Sequence, residues 1–324
     1  MRGHYCCCEA VRAQGYGAAQ ASKNPLEFSS GFLSAEDLAD YDRNQTPWWA
    51  SRMSNPDTDK VFTGSIPELY ESHLVPLIFE PYAADLAERL ASNSLTCVLE
   101  IAAGTGVVTR ALASTLPDGV SIVATDLNQP MLDHASALGS KRAVEWRQAD
   151  AMQLPFHDGT FDAVVCQFGV MFFPEKSRAY SEARRVLRPG GIFIFNVWDR
   201  IEENEFADAV TTALATLFPE DPPRFLARTP HGYYNHETIR RDLANGGFSA
   251  SPEISTLAAR SRAESFRIPA IAYCQGTPLR NEIEARDASR LGDATDIAAE
   301  AIAQRFGRGA VDGKIQAYIV SIDT

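Results

Sequence analysis

Between residues 95 and 198 the apolar positions follow two spacings in turn. Nearly unbroken apolar runs over 95–101, 120–125, 143–148, 161–167 and 190–198 predict strands. The stretches between them repeat apolar residues three and four apart, which predicts helices over 107–116, 129–139 and 175–188. Strands and helices in alternation predict an α/β fold built on a doubly wound, mostly parallel sheet. Farther on, 252–258 predicts a sixth strand, 273–306 is mainly helical in pattern, and 314–322 alternates as a final strand does. Ahead of the first strand, 68–90 is amphipathic. Pro76 and Pro81 interrupt it and predict two short helices rather than one.

The chemistry concentrates at the end of the first strand. Leu99-Glu100-Ile101-Ala102-Ala103-Gly104-Thr105-Gly106 runs from strand through tight turn to helix, and glycine is the residue that lets a backbone turn sharply and a ligand come close. Two glycines at such a junction also suit a plain turn. Asp126, at the end of the next apolar run and roughly 20 residues on, is where an open parallel sheet holds a ribose diol, so the two features together describe one adenosine-binding half-fold.

Composition narrows the possibilities. The 324 residues are 45% hydrophobic, enough for one sizeable core with a cap, and the net charge of -12 argues against nucleic acid as a partner. No apolar run reaches the roughly 18 residues of a membrane span. The amino terminus has no signal-peptide pattern, so the cytoplasm is the expected compartment. Of six cysteines, Cys97, Cys166 and Cys274 sit in apolar surroundings as core thiols do. Cys6-Cys7-Cys8 lacks the spacing of a zinc site, and no metal is expected. Residues 1–58 have the composition of a disordered N-terminal extension; within it Trp48-Trp49 is a docking patch for the tail, an adventitious feature or part of a substrate cage.

Five blocks in order carry a resemblance: Glu100 to Gly106, Asp126, Asp150-Ala151-Met152-Gln153-Leu154-Pro155-Phe156, Phe161-Asp162-Ala163-Val164-Val165-Cys166-Gln167-Phe168, and Leu187-Arg188-Pro189-Gly190-Gly191. The chain resembles the class I S-adenosylmethionine-dependent methyltransferases, in particular the small-molecule group related to the quinone-biosynthesis enzymes. The resemblance implies a seven-stranded Rossmann-like sheet with its last strand reversed beside the fifth. It also implies a helical cap over the cofactor at 59–94 and a catalytic domain at 95–324 with a helical insertion at about 200–230. S-adenosyl-L-methionine is the implied cofactor. Its methionine end would meet Glu100, Gly104 and Gly106, with Ala102 affecting that approach, its ribose Asp126, and its adenine Asp150 and Ala151, while Thr105, Leu127 and Met131 are further cofactor-binding candidates. Gln167 would stand near the transferring methyl, and Tyr70, with His73 nearby, would either reach the methionine carboxylate or simply pack. The family often has glycine where this chain has Ala102.

The implied reaction is methyl transfer to a small acceptor. Met171, Phe172 and Phe173 would line an apolar or aromatic acceptor pocket or else belong to the core. A phenolic or enolic acceptor needs a base, for which His231 and Tyr233 are candidates, while Asn235 reads as a helix cap. Two rivals remain: an adenosyl-ligand-binding protein without turnover, and a nicotinamide-dependent oxidoreductase. The second lacks the third glycine of its fingerprint, having Thr109 there.

Overall fold

The computed structural model describes residue 59 and residues 66–324. The extension expected over 1–58, with Trp48-Trp49 and Cys6-Cys7-Cys8, lies outside the described residues.

The helical path ahead of the sheet does not break at its prolines. α1 (Ile66–Leu69) passes into a π-helical stretch, Tyr70–Phe79, and on into α2 (Glu80–Ala91). Pro76 has no amide to give, and the backbone around it widens to the longer register, in which the Glu80 amide donates to the Val75 carbonyl. Pro81 falls in the first turn of α2, where its fixed φ is tolerated. The expected pair of short helices is therefore one continuous, locally widened path.

The sheet follows the predicted alternation. β1 (Cys97–Ile101), β2 (Ser121–Asp126), β3 (Glu145–Gln148), β4 (Phe161–Gln167) and β5 (Leu187–Trp198) are parallel, and β6 (Glu253–Ala263) and β7 (Val311–Asp323) complete the order β3-β2-β1-β4-β5-β7-β6. β7 pairs antiparallel with both β5 and β6, the reversed strand expected beside the fifth. β1 is buried at every position, as a central parallel strand covered on both faces must be. α3 (Val107–Thr115), α4 (Gln129–Leu138) and α5 (Lys176–Val186) supply crossovers. Strand order reverses between β1 and β4, which opens a crevice at their carboxyl ends.

Two loops differ from simple expectation. Leu187 to Gly191 is not a free turn but the start of β5: Phe161 pairs with Leu187, then the register slips to Ala163 with Ile192, with Gly190 at φ +76. No helix joins β3 to β4. Arg185 of α5 holds that loop instead, donating to the Leu154 and Phe156 carbonyls, while Glu182 accepts from the Leu154 amide.

After β5 come α6 (Glu205–Leu217), the short α7 (Phe225–Arg228) and α8 (His236–Asn245). Asn235 caps α8 as predicted, accepting from the Thr238 amide at 2.9 Å. Between β6 and β7 lie α9 (Arg267–Gln275), α10 (Leu279–Asp287) and α11 (Leu291–Phe306). Cys97, Cys166 and Cys274 are buried. Among the described residues no helix is long and apolar enough to cross a membrane.

Candidate functional site

The turn after β1 is built from left-handed backbone. Ala102 (φ +54), Gly104 (φ +56) and Gly106 (φ +82) all take positive φ before α3 begins. Asp126, at the tip of β2, ties the turn down: its Oδ2 accepts from the Gly104 amide and its Oδ1 from the Asn128 amide, both at 2.8 Å. Burial pushes this carboxyl above its ordinary range, and the amides of Asn128 and Gly104 oppose that push.

The two glycines serve different ends. A Cβ at Gly104 would stand 3.7 Å from Met131 Cε and 4.0 Å from Tyr70 Oη, facing open space. A Cβ at Gly106 would come within 2.8 Å of the Trp146 ring and 3.2 Å of Ala135, inside the packing. Ala102, the departure from the family's glycine, has its methyl against Gly169, where a Cβ would lie only 2.5 Å from it. The extra methyl at one position is matched by the missing one at the other.

The open space beside Gly104 is a cavity of about 170 Å³. Nine of the twelve cofactor candidates line it: Tyr70, Ala102, Gly104, Asp126, Leu127, Met131, Asp150, Ala151 and Gln167. Asp150 also accepts from the Met152 amide at 2.8 Å, which bends the loop after β3. Three other candidates stand behind the lining. Gly106 packs as described, and Thr105 is buried, its hydroxyl lacking a hydrogen-bond partner among the described residues.

Glu100, the third, is 1% exposed and accepts from the Thr109 hydroxyl. Burial pushes it up to about 8, against the pull of the Thr109 bond; nearby Asp126 pushes it further and Arg110 draws it down. Between its ordinary 4.5 and about 8 the unfolded chain ionises this carboxyl while the fold keeps it protonated. The unfolded state then binds fewer protons, so this group makes stability fall as pH rises through that window. Glu100→Gln keeps an acceptor for Thr109 and abolishes the titration. The wild-type melting temperature should decline from about pH 5 to about pH 8 more steeply than the variant's. Parallel curves would contradict a protonated Glu100.

A second cavity, about 70 Å³, adjoins the first and shares Tyr70, Phe168 and Phe172 with it. Phe168 holds φ +51, a left-handed backbone unusual for a large side chain. Two contacts keep it there: its amide donates to Asn196 Oδ1 at 2.8 Å, and its ring stacks on Trp198 at 3.8 Å and 5°. Leu74, Ile78 and Phe79 of the π-helical stretch form one wall, and Phe225 and Leu226 of α7 another. Met171 and Phe172 line this cavity too, whereas Phe173 faces only the first. Lys176 fixes that turn by donating to the Met171 and Phe173 carbonyls.

His231 lines the second cavity and is 5% exposed. Its Nδ1 lies 2.8 Å from the Asp199 carbonyl, to which it must donate, and burial lowers the ring to about 4 despite Asp199 and Glu202 nearby. Tyr233 is placed otherwise. It lines neither cavity, and its hydroxyl donates to Asp242 while accepting from Tyr180. With that hydroxyl held by Asp242 and Tyr180 outside both linings, the structure does not bring Tyr233 to the acceptor chamber. His73 also lines neither cavity and pairs with the Ser72 hydroxyl. Sequence reasoning missed Phe79, Trp198, Phe225 and Tyr273, which lie far apart in the chain and converge on this chamber without a shared motif.

The model of the methyltransferase domain family matches residues 99–195. The ubiquinone/menaquinone biosynthesis C-methyltransferase of Teredinibacter turnerae is 30% identical over 165 residues, 47% of this chain and 66% of that protein. The demethylmenaquinone methyltransferase of Thermus thermophilus is 30% identical over 185 residues, 54% of this chain and 82% of that one. The chain thus spans about two thirds or more of the length of these two relatives. Among solved structures, the phosphoethanolamine N-methyltransferase 2 of Haemonchus contortus, in complex with phosphomonomethylethanolamine and S-adenosylhomocysteine, shares the fold. Its TM-score is 0.52 at 16% identity, over 82% of this chain and 60% of that one. With its sheet order, its glycine turn and Asp126 in place, the chain belongs to the methyltransferase domain family, the S-adenosylmethionine-dependent methyltransferases.

Proposed function

We propose that this protein binds S-adenosylmethionine in the first cavity and transfers the methyl group in line to a small apolar or aromatic acceptor in the second. The observation that carries this reading is the pair of chambers meeting across Tyr70, Phe168 and Phe172, one lined in part by the carboxyl groups of Asp126 and Asp150 and one lined mainly by apolar and aromatic side chains. The helices ahead of β1 act as a cap over the cofactor, and the insertion after β5 carries acceptor specificity.

The lining suits an adenosyl group. Gly104 leaves open the space that a side chain would fill, so a ligand can lie against the backbone there. Asp126 has a carboxylate for ribose hydroxyls, and Asp150 with Ala151 borders the space for adenine. Tyr70 and Met131 stand nearest the space beside Gly104 and would contact the cofactor there. Glu100, Thr105 and Gly106 act from behind, by holding the turn in shape. Bound cofactor supplies an electrophilic sulfonium methyl. The protein's part is to align the acceptor and keep water away, a task worth up to about 7–11 kcal/mol where orientation is good.

Calorimetric titration with S-adenosylmethionine and S-adenosylhomocysteine, with NAD as control, tests the reading. Micromolar binding of both adenosyl ligands and none of NAD is the expected result, with a melting temperature that rises with ligand concentration. A folded protein that binds neither would overturn it.

A further inference from the structure

We propose that His231 is the catalytic base of this protein and accepts the hydroxyl proton of a phenolic or enolic acceptor on Nε2. The proposal rests on the acceptor chamber assigned above. It goes further by naming a reacting group outside the segment that matches the methyltransferase family, which ends at residue 195.

The argument begins with the Asp199 carbonyl. A carbonyl only accepts, so the 2.8 Å contact requires a proton on Nδ1 of His231. In a neutral ring that leaves the lone pair on Nε2, and among the described residues the ring's recorded hydrogen bond is the one from Nδ1 to the Asp199 carbonyl. His231 borders the second cavity, and its ring lies 5.9 Å from that of Trp198, which also stacks on Phe168, a residue shared with the first cavity. The base therefore stands at the chamber that adjoins the cofactor cavity.

No other polar group of the chamber is as well placed. Asn204 spends its amide on the Asp199, Arg200 and Gln316 carbonyls and its oxygen on the Gln316 amide. The Thr277 hydroxyl donates to the Tyr273 carbonyl and accepts from the Leu279 amide. Tyr70 and Tyr273 are phenols that burial pushes upward, so neither is a base near neutral pH. The charged groups facing His231 are Asp199, whose Oδ2 is engaged by Gln316, and Glu202. Burial outweighs them and keeps the ring neutral with its lone pair available down to about pH 4.

The step balances within the acceptor and the ring. The acceptor's O–H bond breaks, its electron pair stays on the acceptor as the nucleophile, and the proton forms the Nε2–H bond of an imidazolium. Proton loss to water restores the neutral ring. The Asp199 carbonyl holds the Nδ1–H throughout and stabilises the transient cation.

Two measurements test this. In ligand-free protein, nitrogen NMR of the His231 ring should show a protonated Nδ1 and a bare Nε2 at neutral pH; the opposite tautomer overturns the proposal. The second measurement compares wild type with His231→Asn, whose amide nitrogen can still donate to Asp199 but which has no basic nitrogen. Methyl transfer from S-adenosylmethionine is followed with phenol, 1-naphthol and 4-nitrophenol. The variant should bind S-adenosylhomocysteine as wild type does. It should lose about 100-fold or more in kcat toward phenol, and far less toward 4-nitrophenol, which ionises unaided near neutral pH. Its residual rate with phenol should climb with pH where the wild-type rate is flat. An equal loss for all three acceptors, or an unchanged pH profile, assigns His231 a structural role and overturns the proposal. So does wild-type protein that binds S-adenosylhomocysteine yet methylates none of the three, whereas absent S-adenosylhomocysteine binding would instead defeat the reading of the first cavity.

Discussion

Asp126→Ala should weaken S-adenosylhomocysteine binding by about 100-fold or more, because hydrogen bonds to a charged group contribute about 1.5–3 kcal/mol each and a ribose diol offers two. The same carboxylate has a second task. It accepts from the amides of Gly104 and Asn128 within a buried turn, and alanine leaves both donors without a partner. A loss of stability of about 1–3 kcal/mol for each such donor is expected, visible as a lower melting temperature. Asp126→Asn separates the two effects. It keeps one acceptor oxygen at the turn, so the fold should recover much of its stability while affinity stays depressed through the lost charge. The check is a calorimetric titration of each variant below its own melting temperature. Affinity in Asp126→Ala within about threefold of wild type would remove Asp126 from the ribose.

The sequence made this part of the site legible because its geometry is local. A strand, a turn with positive φ and the tip of the neighbouring strand are each encoded within a few residues, and glycine and aspartate are the side chains that those positions require. The reversed β7 was equally readable, since its alternation spans nine predicted residues and its partner β5 is an apolar run. The π-helical stretch was not. Two prolines in an amphipathic segment normally mean a break, and nothing in 70–79 announces that the widened register will absorb Pro76. The second chamber was illegible for a different reason. Leu74, Phe168, Trp198, Phe225 and Tyr273 meet there from five separate elements and connections, and each looks alone like an ordinary core residue.

The Ala102 position shows how a departure from a family pattern can be checked by packing. Left-handed alanine costs roughly 1–2 kcal/mol relative to a residue at ease there. The chain accepts that cost and gives the methyl room by having glycine at 169, in van der Waals range of Ala102 and Cys166. The first cavity keeps its shape because the added atom points at Gly169.

Gly104→Val should abolish detectable binding of S-adenosylhomocysteine while leaving a folded protein, and Gly106→Ala should do nearly the reverse. At Gly104 the new Cβ enters free space, in ordinary contact with Met131 and Tyr70, and the two further methyls of valine then occupy the volume that a ligand needs. The φ of +56 adds a strain of about 1–2 kcal/mol, which a domain of this size tolerates. At Gly106 a single Cβ meets the Trp146 ring at 2.8 Å and Ala135 at 3.2 Å, so β3 and α4 must shift before any ligand is involved. Overpacking of that kind costs about 1–3 kcal/mol, and the residual folded protein still presents an open cavity. Melting curves and titrations on both variants therefore give crossed results: a near-normal melt with no binding heat for Gly104→Val, and a depressed melt with binding retained at low temperature for Gly106→Ala. Normal affinity in Gly104→Val would mean that the ligand does not lie against this backbone, and the assignment of the first cavity to the cofactor would fall with it.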